Sequence, residues 1–246
     1  MMNFYTSRQF LEVDLLPKVV ISVVGCGGKT TFIETLAASC PEKKTLISPT
    51  TKIGVPKNQG SSVCTTLEEC ENHVPTVGIQ YLGISPSATP HKLAALPLPI
   101  LEKLVSGYDL ALLEADGSRG LPCKGWIDNE PVIPAYSTFT VGIVTLHGLG
   151  KAANEENVLR LPEFLALTEL KENDPITEES LCKMVCAEGG MFKNSQGKRI
   201  LCLNQIDTEK DEVLGRQWIA LLKERFPNFF EKIVLGSAKK NQWKEV

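Results

Sequence analysis

The chain has 246 residues, a formal net charge of −3, and 22% charged against 43% hydrophobic residues. At roughly 150 residues per domain, this length predicts one large domain, or one domain that carries an insert. The composition excludes a disordered chain, and the lack of basic blocks argues against a protein that binds nucleic acid through bulk charge. No apolar run reaches the roughly 18 residues that span a membrane.

The cysteines and the N-terminal segment indicate a cytosolic protein. Eight cysteines and three histidines are present, but their spacing fits no zinc site. The N-terminal segment has no signal-peptide core, and thiols stay reduced in the cytosol. We therefore expect ordinary free thiols at most of the cysteines and no disulfide framework.

Apolar, β-branched runs alternate with helical patterns along most of the chain, and several runs are apolar on both faces, as buried parallel strands are. We expect an α/β fold with three layers and a mostly parallel sheet, covered by helices on both sides. The predicted strands are Lys18–Val24, Thr45–Ser48, Thr76–Leu82, Asp109–Ala115, Phe139–Leu146, Arg199–Leu203 and Lys232–Leu235. The predicted helices are Thr30–Ser39, Leu93–Ser106 and Glu209–Phe226.

Residues 152–194 have a different pattern, which predicts a small helical insert within a single domain of residues 1–246. Short helices are expected around Asn157–Thr168 and Thr177–Glu188, the second opened by a hydroxyl cap and early acids. The segments Ile53–Thr66 and Gly83–Pro90 are rich in Gly, Pro and Ser and are expected to be loops.

The sequence GCGGKTT at 25–31 follows a buried strand and leads directly into a helix. Glycines there let backbone N–H groups turn toward a phosphate, and the helix N-terminus adds its positive end. Lys29 would reach phosphate oxygens and Thr30 would ligate Mg²⁺, although Val23 stands where G-x-x-x-x-G-K-[ST] has its first glycine. The alternative is a glycine-rich turn with a surface lysine. The predicted phosphate-binding residues are Gly25, Gly27, Gly28, Lys29, Thr30 and Thr31.

The segment YDLALLEADGSRG predicts a second buried strand that ends in acids. In phosphate-loop enzymes a carboxylate at this position holds Mg²⁺, which prefers hard oxygen ligands. We assign Glu114 to the metal and Asp116 to orienting a water or a partner. The spacing also reads E-x-x-G, in which the Gly117 N–H would meet a γ-phosphate. The alternative is an acidic turn that closes a strand.

Two late strands are followed by NQID at 204–207 and SAK at 237–239, which are similar to the N-K-x-D and S-A-K motifs of guanine-nucleotide proteins. The Asp207 carboxylate would accept from guanine N1–H and the 2-amino group, and the Ala238 N–H would donate to O6. Adenine would leave these groups unpaired, so we expect GTP rather than ATP. Gln205 replaces the usual lysine. The predicted base-reading residues are Asn204, Asp207, Ser237, Ala238 and Lys239.

The strings VVGCGGKTT, SPTTKI, LLEADGSRGLPCKGW, NEPVIP and LNQID, in this order, resemble the YqeC family over roughly Val19 to Asp207. That family comprises accessory proteins linked to selenium-dependent molybdenum hydroxylases. The resemblance implies phosphate-loop character, a cytosolic location and a role in selenium or molybdenum cofactor maturation, with a hydroxylase or maturation protein as partner. The arrangement also resembles, at fold level, the GTPases that insert nickel into urease and hydrogenase.

Residues near these motifs carry further hypotheses. Thr50, Thr51 and Lys52 would flank the phosphate site, where a threonine hydroxyl would complete the Mg²⁺ shell or position a water; the alternative is a capped loop. Arg119 would steady developing phosphate charge from within the chain, or be solvated.

The loop beyond the acidic strand end adds two more hypotheses. Lys124, Asp128 and Glu130 would form a substrate or partner surface. Cys26 lies at a helix N-terminus, where a thiolate would be stabilised. Cys26 or Cys123 would then handle reduced selenium or sulfur; the alternative is a small residue that fills the loop.

The sequence favours a Mg²⁺-dependent GTPase that assists cofactor maturation, with Lys29, Asp116 and Arg119 as catalytic residues and Thr30 and Glu114 as metal ligands. One alternative is a small-molecule kinase or nucleotidyltransferase with an acceptor pocket near Arg119 to Glu130. Another is a binding module that a nucleotide switches without hydrolysis.

Overall fold

The structure is a computed structural model that describes residues 4–54, 62–85 and 92–246. The described residues form thirteen strands and seven helices. The strands are β1 (Val19–Gly25), β2 (Lys44–Pro49), β3 (Lys52–Gly54), β4 (Ser62–Cys64), β5 (Gly78–Leu82), β6 (Lys92–Ala94), β7 (Leu110–Glu114), β8 (Cys123–Lys124), β9 (Phe139–Val144), β10 (Val158–Leu159), β11 (Lys198–Leu203), β12 (Lys232–Ser237) and β13 (Gln242–Glu245). The helices are α1 (Ser7–Phe10), α2 (Lys29–Ala38), α3 (Leu67–Glu71), α4 (Leu98–Val105), α5 (Leu161–Thr168), α6 (Glu178–Cys186) and α7 (Glu209–Arg225).

A nine-stranded sheet forms the centre of the molecule, in the order β13-β12-β11-β9-β1-β7-β2-β5-β4. All neighbouring pairs are parallel except β12 with β13. Because parallel strands end at the same edge, the residues that follow β1, β7, β11 and β12 lie along one rim. The prediction of an α/β fold with a mostly parallel sheet is confirmed.

Apolar side chains cover both faces of this sheet, as the strands' two-sided hydrophobicity predicts. On one face β1 contributes Ile21 and Val23 to a cluster that includes Phe32 of α2. On the other face Val24 of β1 joins a cluster that includes Trp218 of α7 and the buried residues of α5 and α6. The strand that leads into the predicted phosphate site is therefore fixed from both sides.

The structure differs from the predicted elements where prolines interrupt a pattern. The predicted helix Leu93–Ser106 begins only at Leu98, after Pro97, and residues 92–94 form β6 instead. Proline lacks a backbone N–H and disfavours helical geometry in the residue before it, which explains the late start. Both ends of the predicted loop Ile53–Thr66 form strands, β3 and β4. Residues 55–61 of this loop and 86–90 of the other predicted loop lie outside the described ranges.

The region of residues 152–194 contains α5 and α6, which pack on each other, and α6 also packs on α7. The predicted helix at Asn157–Thr168 begins at Leu161, because Val158–Leu159 pairs with β8 as strand β10. Thr177 caps α6 as the sequence predicts, with its side chain accepting from the Ser180 N–H. The pairing of β10 with β8 connects this region to the loop that follows β7.

Candidate nucleotide and magnesium site

The turn between β1 and α2 is the centre of the candidate site. Gly25, Gly27 and Gly28 have φ values of 98°, 94° and 121°, in the left-handed region that favours glycine. A Cβ on Gly25 would lie 2.3 Å from the Ile143 carbonyl oxygen, and one on Gly28 would lie 2.4 Å from Asn204 Nδ2. The glycines that the sequence places here are therefore required by this tight turn.

The backbone amides of residues 27–31 all lack a hydrogen-bond acceptor among the described residues. On either side of this run the amides are paired: the Cys26 N–H donates to Ile143 O, and the Phe32 N–H donates to Gly28 O. Consecutive free amides at the start of a helix form a site for an anion, because their dipoles add to that of the helix. The turn has the geometry that the phosphate-loop prediction requires.

The Lys29 ammonium lies inside this turn, with its side chain 3% exposed. Its Nζ donates to Gly25 O at 2.5 Å and lies 3.3 Å from Asp116 Oδ1 and 4.0 Å from Glu114 Oε1. Burial alone lowers the pKa of Lys29, but the two carboxylates outweigh it and the pKa is raised. Lys29 is therefore a buried cation, not the surface lysine of the alternative interpretation.

Asp116 is fully buried and holds the loop together. It accepts from the Gly25 N–H at 3.1 Å, from Lys124 Nζ at 3.1 Å and from Trp126 Nε1 at 2.7 Å, in addition to its contact with Lys29. Burial raises the pKa of Asp116, but the two lysines and the hydrogen bonds reverse this and the pKa is lowered. This ionised carboxylate positions Lys29 and has no exposed surface for the predicted contact with a water.

Thr30 and Glu114 form the candidate metal site. The Thr30 hydroxyl lies 3.2 Å from Glu114 Oε2, since Glu114 pairs in register with Val23 on the neighbouring strand. Burial raises the pKa of Glu114, although Lys29 opposes the shift. One hydroxyl and one carboxylate suit Mg²⁺, which takes few protein ligands and keeps waters and phosphate oxygens. In the described ranges no group of three His, Cys, Asp or Glu residues could hold a metal.

Asn204 connects the phosphate turn to the predicted base-reading loop. Its Nδ2 donates to Gly27 O and its Oδ1 accepts from the Ala238 N–H, both at 2.7 Å. The Ala238 amide, predicted to donate to guanine O6, is thus engaged by Asn204, whereas the Lys239 amide has no acceptor among the described residues. Ser237 is buried beside them.

Asp207 lies at the outer end of this region, half-exposed, with its carboxylate 3.1 Å from Lys240 Nζ. A cavity of about 220 Å³ opens beside Asp207 and Ser237. Gln205, which replaces the usual lysine, has a φ of 65° and a buried Oε1 without a partner among the described residues. The structure therefore brings Asn204, Ser237 and Ala238 together and leaves Asp207 nearer to solvent.

A larger cavity of about 810 Å³ adjoins the metal end of the site. Thr30, Glu114 and Gly117 line its inner end, and the Gly117 N–H has no acceptor within the described residues. Arg119, exposed with a φ of 51°, lies on the cavity wall. Thr50 and Thr51 line the cavity as well. Arg119, Thr50 and Thr51, all predicted site residues, therefore lie beside the metal end. The side chain of Lys52 lies outside the described part of the chain, and Thr31 is exposed on α2.

The loop after β7 folds inward, which corrects the prediction of a surface at Lys124 to Glu130. Lys124 is fully buried between Asp116 and Glu130, and Arg160 binds Glu130 through two hydrogen bonds of 2.7 Å. Of the three residues predicted to form that surface, Asp128 is the one whose side chain is exposed. We call Lys29, Asp116, Lys124, Glu130 and Arg160 the buried charge network.

Sequence reasoning missed Trp126 and Arg160. The signal for Trp126 was its place in LPCKGW, two residues after Lys124. Arg160 gave none, because it lies 30 residues along the chain from Glu130.

The thiolate hypothesis for Cys26 and Cys123 is wrong. Both side chains are buried, and the Cys26 thiol donates to Pro122 O at 3.0 Å. Burial raises the pKa of Cys26 to about 12 and that of Cys123 well above its usual value. Both groups are therefore neutral thiols near pH 7, which supports the interpretation of Cys26 as a small residue that fills the loop.

The sheet order, the glycine turn and the helix that follows it define an α/β protein of the phosphate-loop type. A family model described as YqeC protein matches residues 21–162. The chain is also 32% identical over 212 residues to "Uncharacterized protein YqeC" of Escherichia coli (strain K12), covering 83% of each chain. The chain therefore belongs to the YqeC family. Across the described ranges, none of the helices has the length and apolar character needed to cross a bilayer.

Proposed function

We propose that this protein binds and hydrolyses a nucleoside triphosphate, GTP in preference to ATP, with Mg²⁺. The observation that carries the proposal is the row of free amides at residues 27–31 around the buried Lys29, beside the Thr30–Glu114 pair. Such a row accepts an extended anion with several oxygens, as a triphosphate provides.

The chain's own residues account for binding and positioning. The amides of 27–31 would cradle the phosphates, and the Lys29 ammonium would exchange its bond to Gly25 O for a phosphate oxygen. Asp116 would keep Lys29 aligned throughout. Thr30 and Glu114 would hold Mg²⁺, which, when bound, neutralises charge on the phosphates. Catalysis of this kind rests on positioning and electrostatics, without a covalent intermediate.

Guanine preference rests on Asp207 and on the loop around Ala238 and Lys239. Asn204 orders this region by bridging the phosphate turn and the end of β12. The Asp207 carboxylate would exchange its exposed ion pair with Lys240 for the two guanine donors, a pattern that adenine lacks.

The biological role that we propose follows from family membership. It is the maturation of selenium-dependent molybdenum hydroxylases or of their cofactor, in the cytosol, with a hydroxylase or a maturation protein as partner. We assign no side chain as a general base, so intrinsic turnover should be slow and a partner would accelerate it.

Calorimetric titration with GTP, ATP, CTP and their diphosphates, with and without Mg²⁺, tests the proposal. We expect GTP to bind most tightly and Mg²⁺ to strengthen triphosphate binding. A preference for ATP would overturn the guanine assignment alone. An absence of binding by every triphosphate would overturn the proposed function.

A further inference from the structure

The 810 Å³ cavity lies on the side of the phosphate turn away from the base-reading loops. The strands that carry those loops, β11 and β12, lie on one side of β1, separated from it by β9. The cavity instead begins at Thr30 and Glu114 and extends over β7 and β2, on the other side of β1. A nucleotide placed as proposed therefore ends with its γ-phosphate at the mouth of this cavity and leaves the cavity itself open.

The charges on the cavity wall favour an anion. Lys92 and Arg119 line the cavity, and among the described residues neither side chain has an acidic partner. The acid Glu130 on the same wall is already compensated by Lys124 and Arg160. Because Glu114 and Glu130 are paired and the two cations are not, the lining has unpaired positive charge, which favours an anion.

The remaining lining adds hydroxyl groups and an apolar surface. The Thr51 hydroxyl is buried and has no partner among the described residues, and Thr50 Oγ1 donates to Val132 O at 2.7 Å, so its lone pairs remain free. An unpaired buried hydroxyl is costly unless a ligand engages it. The apolar part of the wall comprises Ala94, Ala95, Val132 and Leu159. Pockets of roughly 300–1,000 Å³ with this mixture accommodate small organic ligands.

We propose that this cavity is a second ligand site, which binds a small organic anion with a carboxylate or phosphate group and an apolar body, next to the position of the γ-phosphate. Lys92 and Arg119 bind the anionic group, the threonine hydroxyls orient it, and Ala94 and Leu159 contact the apolar body. The position of the anion next to a γ-phosphate rests on the proposed function, because it depends on a nucleotide bound at Thr30 and Glu114. The binding of the anion itself depends only on the cavity.

Calorimetry on the nucleotide-loaded protein tests this site. The protein is first loaded with Mg²⁺ and the β,γ-imido analogue of GTP, so that the phosphate turn is filled, and is then titrated with benzoate, phenyl phosphate or the neutral benzamide. We expect one equivalent of each anion to bind and benzamide not to bind; the two anions show whether carboxylate or phosphate is preferred. Lys92→Gln should weaken anion binding about tenfold, the loss of one charge-assisted hydrogen bond. The matched control Lys103→Gln, on the exposed face of α4, should change nothing.

Turnover provides an independent readout. An anion in the cavity lies beside the γ-phosphate and outside the nucleotide site, so benzoate should inhibit basal GTP hydrolysis noncompetitively with GTP. Competitive inhibition would place the anion in the phosphate turn and overturn the proposal. Equal binding of benzamide, an unchanged affinity in Lys92→Gln, or no binding of either anion would also overturn it.

The two proposals fail in different ways. If the GTP analogue does not load, the proposed function fails, and the same titration is then made on nucleotide-free Lys29→Ala protein, whose phosphate turn has lost its cation. Anion binding that depends on Lys92 in that variant would keep the cavity site and remove only its role beside a nucleotide. Loading without any anion binding would leave the nucleotide function in place and remove the cavity site.

Discussion

Two aspartate–lysine pairs in this molecule have the same separation and opposite surroundings. Asp116 and Lys124 lie 3.1 Å apart with both side chains 0% exposed. Asp207 and Lys240 also lie 3.1 Å apart, but their side chains are 56% and 54% exposed. Distance alone therefore does not separate a group that holds the fold from a group that is available to a ligand.

The two pairs differ in burial, and burial decides how much each contributes to stability. An ion pair inside the protein has lost its hydration, so the removal of one partner leaves an uncompensated charge in a medium of low dielectric. An exposed pair exchanges easily with water or with a ligand and contributes little to stability. The buried charge network can thus position the phosphate turn, whereas the Asp207 carboxylate is accessible to a ligand.

The largest effect on the free energy of unfolding is expected from Asp116→Asn. The change leaves Lys29 and Lys124 without their shared carboxylate and should lower the free energy of unfolding by about 3–5 kcal/mol, measured by urea denaturation. Asp207→Asn is the matched control. Equal stability of the two variants would contradict the contrast between the buried and the exposed pair.

Lys29→Ala should act on binding more than on folding. Asp116 keeps Lys124 and Trp126 as partners, so the protein should remain folded, as circular dichroism would show. Triphosphate affinity should fall about 100-fold, because a charge-assisted contact to phosphate contributes roughly 1.5–3 kcal/mol. Lys103→Ala is the control in the same calorimetric titration. An unchanged GTP affinity in Lys29→Ala would show that the phosphates bind elsewhere.

The two carboxylates of the site should respond to pH in opposite ways. The pKa of Glu114 is raised in the folded state, so its protonation, which favours folding, is lost as pH rises through that pKa. The pKa of Asp116 is lowered, so its contribution to stability is present above its usual value of 3.8 and is lost as pH falls through the folded pKa.

Mg²⁺ should therefore strengthen GTP binding less as the pH falls. The midpoint of this change should lie above pH 4.5, the usual pKa of a glutamate, because the pKa of Glu114 is raised. The protein should still be folded at that pH. Glu114→Gln should remove this pH step and reduce the Mg²⁺ effect about tenfold. Calorimetry across a pH series, with circular dichroism at each pH, measures both. A Mg²⁺ effect that persists unchanged in Glu114→Gln would exclude Glu114 as a ligand.

The smallest effect on stability is expected from Asp207→Asn. The free energy of unfolding should change by less than about 0.5 kcal/mol, because the pair with Lys240 is exposed. The preference for GTP over ATP should nevertheless fall about tenfold or more, since the acceptor for two guanine donors is lost. Nucleotide titrations of both proteins measure the ratio. A ratio that does not change would place the base elsewhere.

The sheet could be predicted because its strands are apolar on both faces. The phosphate turn could be predicted because its φ values favour glycine, so the glycines stand close together in the sequence. The sequence did not predict β13, whose segment QWKE alternates weakly and lies at the sheet edge. Nor did it reveal that Asp116 is inaccessible. Asp116 is buried because Lys124 and Trp126, which lie 8 and 10 residues further along the chain, fold back onto it. No local sequence pattern predicts this contact.

The short parallel pair β8–β10 joins two stretches of the chain that are far apart in the sequence. Cys123 and Lys124 align with Val158 and Leu159, and the Gly125 N–H extends the ladder to Leu159 O. The backbone that presents Lys124 to Asp116 is thus held by the start of the helical region. Replacing residues 152–194 without residues 120–134 should therefore disturb the position of Lys124 beside Asp116.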